Sequence, residues 1–157
     1  MNKFAVCTGT FDPITRGHEN IIRRTARVFG SCTVLVLTNE KKTPRFSLEE
    51  REAICRAAFE GEETITVTKS DGLLTDWLSR HPGAFLVKGI RGAEDLPFEK
   101  LQAEYHRLHT GTETFYLDAS PEFQSLSSTK VRRVLRENGD LSPYLSEKTE
   151  KFLKNKL

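Results

Sequence analysis

Residues 33–38 read Thr-Val-Leu-Val-Leu-Thr, an unbroken uncharged run of β-branched residues and leucines. A strand with one wet face alternates apolar and polar residues. A run that is apolar on both faces belongs to a parallel sheet covered on each side by crossover helices. Four further short strand-like runs recur along the chain: Lys3 to Thr8, Thr64 to Thr68, Ala84 to Val87 and Thr114 to Leu117. The stretches between them carry helical periodicity. Gly17 to Phe29 places Ile21, Ile22, Ala26 and Phe29 on one side and Arg23, Arg24 and Arg27 elsewhere, with Gly30 as a C-cap. Ser47 reads as an N-cap with Glu50 as its capping-box partner, and Ile54, Ala57, Ala58 and Phe59 form the apolar face behind it. Gly72-Leu73-Leu74 opens a helix to Ser79, anchored by Trp77 and Leu78 and ended by His81-Pro82-Gly83. Pro97 fits the first turn of the next helix, along which Phe98, Leu101, Tyr105 and Leu108 form a stripe. Ser127-Ser128-Thr129 caps a helix from Lys130 to about Glu137, and Pro143 is expected to begin the last one.

Five strands separated by helices predict an α/β fold: a Rossmann-like, doubly wound five-stranded parallel sheet with helices on both faces. With 157 residues and no repeat, linker or low-complexity tract, a single domain over 1–157 is expected. The net charge of +2 is too small for a nucleic-acid platform or a membrane surface, so neither partner is expected. Cys7, Cys32 and Cys55 form no C-x-x-C pair and have no His partners at zinc spacing. They read as buried free thiols in a reducing compartment, and the stretch before Gly9 is too short for a signal peptide or span, so a cytoplasmic location is expected.

In an open parallel sheet the ligand crevice lies outside the carboxyl ends of the strands. The unusual residues of this chain fall there. After strand one comes Gly9-Thr10-Phe11-Asp12-Pro13-Ile14-Thr15-Arg16-Gly17-His18, which combines glycines for close backbone approach, a hydroxyl, and a histidine at a helix start where free N–H groups attract anions. Strand two leads to Lys41 and Lys42, strand four to Lys88 and Arg91, and strand five to Ser127, Ser128 and Thr129. Each alone is an ordinary surface residue; together at one sheet edge they make a phosphate-binding constellation. The chain has no G-x-x-x-x-G-K-[ST], no G-x-G-x-x-G and no G-x-S-x-G elbow. A site rich in cations and hydroxyls but poor in nucleophiles suits direct in-line transfer between phosphate-bearing ligands, by positioning and charge stabilisation.

Thr8-Gly9-Thr10-Phe11-Asp12-Pro13-Ile14-Thr15-Arg16-Gly17-His18 resembles the T/H-x-G-H signature of the nucleotidyltransferase superfamily. Lys42 to Arg51, Gly72-Leu73-Leu74, Lys88-Gly89-Ile90-Arg91 and Ser127-Ser128-Thr129 follow in the order and spacing of the bacterial phosphopantetheine adenylyltransferases. The resemblance implies transfer of the adenylyl group of ATP to 4′-phosphopantetheine, giving dephospho-coenzyme A and pyrophosphate, the penultimate step of coenzyme A synthesis. Mg²⁺ would arrive with ATP, with no protein side chain assigned as its ligand. It further implies a homohexamer and binding of coenzyme A. By the same resemblance His18 would hydrogen-bond the α-phosphate and stabilise transition-state charge. Thr10 would orient the acceptor phosphate and, with Phe11, touch ATP. Lys42 would hold the acceptor phosphate, Leu74 would line the pantetheine arm, and Lys88 would meet acceptor and phosphates. Gly89, Ile90 and Arg91 would contact ATP, Glu99 would reach the ribose side, and Phe123, Gln124, Ser125, Leu126, Ser127, Ser128 and Thr129 would close on adenine and triphosphate.

The chain departs from the family pattern at Thr8, where Pro is common, at Lys88, where Arg also occurs, at Leu96-Pro97 and within 124–129. Two other readings stay open. One is a nicotinamide-mononucleotide adenylyltransferase, echoed by Ser127-Ser128-Thr129-Lys130-Val131-Arg132, although that family favours His where this chain has Thr15. The other is a non-catalytic nucleotide-sensing or RNA-binding module using Lys130, Arg132, Arg133 and Arg136.

Overall fold

The computed structural model describes residues 2–156. Its strands are β1 (Phe4–Gly9), β2 (Cys32–Leu37), β3 (Ile65–Ser70), β4 (Ala84–Ile90) and β5 (Thr114–Asp118). Its α-helices are α1 (Arg16–Phe29), α2 (Leu48–Ala58), α3 (Leu74–Arg80), α4 (Leu96–Thr110), α5 (Ser128–Arg136) and α6 (Glu147–Lys156). The strands pair in parallel in the order β3-β2-β1-β4-β5, so the winding reverses between β1 and β4.

The run that predicted a doubly covered strand behaves as such. Val34, Leu35 and Val36 are each 0% exposed. Val34 and Val36 pack with Ile22 and Ala26 of α1, Ile54 and Ala58 of α2, Val131 of α5 and Leu153 of α6. Leu35 points the other way, into a cluster with Val6, Leu86 and the α3 anchors Trp77 and Leu78. Burying each such side chain contributes about 1.5–3 kcal/mol. Cys7, Cys32 and Cys55 are free and buried, as the sequence predicts.

Element ends follow the cap chemistry read from the sequence. Gly30 closes α1 at φ 89°, and Ser47 and Glu50 form a reciprocal capping box on α2, with bonds of 3.1 Å and 3.3 Å. Pro97 sits in the first turn of α4, which continues without interruption to Thr110. The last helix is different: it begins at Glu147, not at Pro143. The carbonyls of Pro143 and Tyr144 are taken by the Arg16 guanidinium and the Arg16 N–H (3.4 and 2.8 Å), which holds this segment as a turn beneath α1. The stripe on α4 does not pack on the sheet: Phe98, Leu101, Tyr105 and Leu108 are 50–71% exposed.

What opens the site is a parting of strands. β1 pairs with β4 only from Phe4↔Ala84 to Val6↔Leu86, although β1 continues to Gly9 and β4 to Ile90. Each strand instead keeps its outer neighbour, β1 to Gly9↔Val36 and β4 to Ile90↔Asp118. The upper halves of β1 and β4 therefore diverge, and a crevice forms between them at the switch point.

Candidate active site

Two adjoining cavities occupy this crevice. One, of about 440 Å³, is lined by Cys7 and Thr8 of β1, by Val87, Lys88 and Gly89 of β4, and by His18, Lys42, Arg91, Phe123, Ser127 and Ser128 among others. The second, of about 750 Å³, runs over Thr10, Leu37, Lys41, Leu73, Leu74, Phe98, Gln102 and His106. Thr8, Lys88 and Glu99 line both, so they stand at the boundary. Both volumes fall within the ~300–1,000 Å³ usual for small-molecule sites. The smaller cavity collects the cations Lys42, Lys88 and Arg91 against a single carboxylate, Glu99, a surplus suited to a polyanion. No cluster of three or more His, Cys, Asp or Glu placed to hold a metal occurs among the described residues.

Lys88 and Gly89 lie within β4, not after it as the sequence reading had them. Gly89 is required there by packing, because an added Cβ would come within 2.8 Å of Ile21 Cγ1 on α1. Gly9 is required for a similar reason: the Phe11 ring covers it, with Cζ 2.9 Å from where a Cβ would stand. Gly17 is not, since a Cβ there meets Phe123 Cβ at an ordinary 3.5 Å. Phe11 itself takes φ 49°, a left-handed conformation that costs a bulky residue about 1–2 kcal/mol. Its buried ring offsets that cost and meets the His18 ring edge-on at 5.2 Å.

His18 is held by an N-terminal cap of unusual composition. Thr15 Oγ1 accepts from the His18 N–H at 3.3 Å, while the Thr15 N–H donates to His18 Nδ1 at 3.0 Å. The imidazole fills the place that Glu or Gln takes in an ordinary capping box. Because Nδ1 accepts, the proton of the neutral ring sits on Nε2, so the ring offers a donor there. Burial, reinforced by the charge of Arg91, lowers the His18 pKa to about 4. With its pKa lowered in this way, the ring is a neutral donor at neutral pH.

The helix α5 opens on the same cavity. Ser127 is its N-cap, with Oγ accepting from the Lys130 N–H at 3.2 Å, and the Ser128 hydroxyl donates to Pro13 O at 2.8 Å. Of the predicted site residues, Thr10, Phe11, His18, Lys42, Leu74, Lys88, Gly89, Arg91, Glu99, Phe123, Leu126, Ser127 and Ser128 line one or both cavities. Ile90, Gln124, Ser125 and Thr129 do not. Ile90 is buried with its carbonyl accepting from Ala119, Gln124 turns toward the Ala119 carbonyl, and Thr129 accepts from the Arg132 guanidinium at 3.1 Å.

Sequence reasoning missed the groups that hold the loops in place. Asp12 is buried and its carboxylate accepts from the Arg45 and Phe46 N–H groups at 2.9 and 3.0 Å, tying the first loop to the Lys42 loop. Arg132 donates to Asp12 O at 2.9 Å and so joins α5 to the same point. Asp12 stood within the quoted signature, but a carboxylate in a loop gives no sign of whether it faces backbone or solvent.

A sequence model described as cytidylyltransferase-like matches residues 6–134. The chain is 36% identical over 156 residues to a phosphopantetheine adenylyltransferase of Limosilactobacillus reuteri, covering 99% of this chain and 90% of that one. A phosphopantetheine adenylyltransferase of Thermobifida fusca is 37% identical over 147 residues, covering 91% and 90%. One from Herminiimonas arsenicoxydans is 36% identical over 154 residues, covering 98% and 94%. A solved structure from Vibrio parahaemolyticus, provisionally described as a nicotinate-nucleotide adenylyltransferase, superposes with a TM-score of 0.69 over 99% of this chain and 93% of that one, and at 19% identity the likeness is one of fold. The chain belongs to the cytidylyltransferase-like family and, within its reach, to the phosphopantetheine adenylyltransferases.

Proposed function

We propose that the protein transfers the adenylyl group of ATP to 4′-phosphopantetheine, releasing pyrophosphate and dephospho-coenzyme A. The carrying observation is the pair of cavities that meet at Thr8, Lys88 and Glu99, one cationic and hydroxyl-lined, the other bearing apolar Leu73, Leu74 and Phe98. ATP occupies the smaller and the pantetheine arm the larger, which brings the acceptor phosphate and the α-phosphate together at Lys88. An oxygen of the acceptor phosphate bonds to the α-phosphorus as the bond to the β-phosphate bridge breaks, and pyrophosphate leaves. No protein nucleophile is needed. His18 Nε2–H donates to the α-phosphate as charge builds on it, Arg91 binds the β- and γ-phosphates, and Ser127 and Ser128 offer hydroxyls at the α5 start. Thr10 and Lys42 hold the acceptor phosphate, and Lys88 offsets repulsion between the two anions. The cations and hydroxyls of the smaller cavity, with Glu99 alone among carboxylates, fit an ion that arrives already bound to the triphosphate. Mg²⁺ bound there would neutralise charge on the phosphate oxygens.

The open stripe of Phe98, Leu101, Tyr105 and Leu108 supports assembly into a homo-oligomer, a hexamer by family. No helix among the described residues is long and apolar enough to cross a membrane, and a cytoplasmic site of action accords with the buried free thiols. The test is pyrophosphate release from ATP and Mg²⁺ with 4′-phosphopantetheine, beside the same assay with nicotinamide mononucleotide. Turnover with the first acceptor is expected. Turnover with the second alone would replace this reading with its nearest relative.

A further inference from the structure

The segment from Arg45 to Arg51 supplies the α2 cap, but its last residue makes contacts that a cap does not require. Arg51 is the bulkiest of the fully buried side chains, 1% exposed. Its Nε donates to Phe46 O at 3.0 Å, and one Nη donates to both Thr10 O at 2.8 Å and Leu37 O at 2.7 Å. Leu37 ends β2, Phe46 immediately precedes the α2 cap, and Thr10 follows β1. A buried guanidinium is costly unless its donors and charge are met, and here backbone carbonyls accept from its Nε and one Nη. The Phe46 peptide groups are gripped twice, its C=O by Arg51 and its N–H by Asp12 Oδ1 at 3.0 Å.

Between Leu37 and Phe46 runs the loop that carries exposed Lys42, whose own backbone has only the turn bond to Asn39 O at 3.0 Å. Arg51 thus touches both ends of that loop and, at the end of the neighbouring strand β1, the residue that carries the Thr10 hydroxyl. An apolar side chain of similar volume could fill the space beneath the site, but it could not register three backbone segments against one another.

We infer that Arg51 is a positioning residue for the acceptor phosphate, fixing Thr10 against the two ends of the Lys42 loop from beneath the site. The inference rests on the proposed function. Arg51→Lys keeps the charge but replaces a planar fork with a point donor that cannot span these carbonyls. The KM for 4′-phosphopantetheine is expected to rise at least tenfold while the KM for ATP stays within about twofold. Thr10→Ala should also cost several-fold less kcat/KM in the Arg51→Lys background than alone, because the hydroxyl it removes is already misplaced. Circular dichroism fixes the folded fraction in every case. A folded Arg51→Lys protein with both KM values unchanged and an undiminished Thr10→Ala effect would overturn the inference and leave only a structural arginine. Should that variant not fold, Asp12→Asn loosens the same grip on Phe46 from the other side. A folded Asp12→Asn protein without the selective rise in acceptor KM overturns the inference equally. Failure of the unsubstituted protein to release pyrophosphate would instead refute the proposed function itself, and this role with it.

Discussion

His18 should act as a neutral donor whose tautomer is set by the main chain. Its pKa of about 4 lies some three units below pH 7, so about one ring in 10³ is charged at that pH. Nitrogen-15 NMR of histidine-labelled protein should show one imidazole among the 4 histidines that titrates near pH 4 and carries its proton on Nε2. The assignment is made by its loss in His18→Ala. In the same variant, loss of a single donor to developing charge should lower kcat by about 10²–10³, or about 2.7–4 kcal/mol, while ATP affinity stays within a few-fold. A stability consequence has a definite sign. The folded pKa lies below the ordinary 6.5, so the contribution is complete above pH 6.5 and is lost as pH falls from 6.5 toward 4. Its size is at most about 3 kcal/mol, and less to the extent that the ring edge open to the cavity is solvated. Titration of His18 near 6.5 would refute the effect of burial on the ring, and a proton on Nδ1 in the neutral ring would refute the tautomer, because the Thr15 N–H could then not be bonded to Nδ1.

Gly89→Ala should lower activity at least tenfold by forcing α1, and His18 with it, away from β4; Ile21→Ala in the same chain should restore part of it, and a fully active Gly89→Ala would show the 2.8 Å approach to be soft. Leu101→Glu places a charge in the α4 stripe and should shift the sedimentation coefficient toward a smaller species with the secondary structure intact; an unchanged coefficient would remove the stripe from the interface. Ser47→Ala removes the α2 cap and should cost about 1 kcal/mol in urea unfolding, within a range of about 0.5–2, with little change in turnover.

Strand and helix positions were legible because each has a local cause. Val34 to Val36 could be apolar on both faces only if both are covered, Gly30 favours φ 89°, and Ser47 with Glu50 spells a cap in four residues. Pro143 misled because proline is equally at home in a turn, and the Arg16 contacts that decide the matter come from 127 residues away in sequence. The candidate site was legible as residue types at strand ends, most of which the fold brings to the one crevice. The supports beneath them were not. Asp12, Arg51 and Arg132 bond to backbone atoms of distant loops, and backbone atoms leave no mark on residue identity. The neutrality of His18 was hidden for the same reason, because it depends on burial and on the Thr15 N–H.

The parting of β1 from β4 explains why such a fold suits direct transfer between two anions. Had the pairing continued past Val6↔Leu86 in the same register, Thr8 and Lys88 would have paired directly and the boundary between the cavities closed. Instead the divergence leaves Lys88 open to both cavities. In the proposed reaction a single cation so placed would favour both anions at once. Under the proposed function, direct transfer would need no protein nucleophile, because the energetic obstacle is the mutual repulsion of two phosphates and the switch point places a positive charge at the boundary between their cavities.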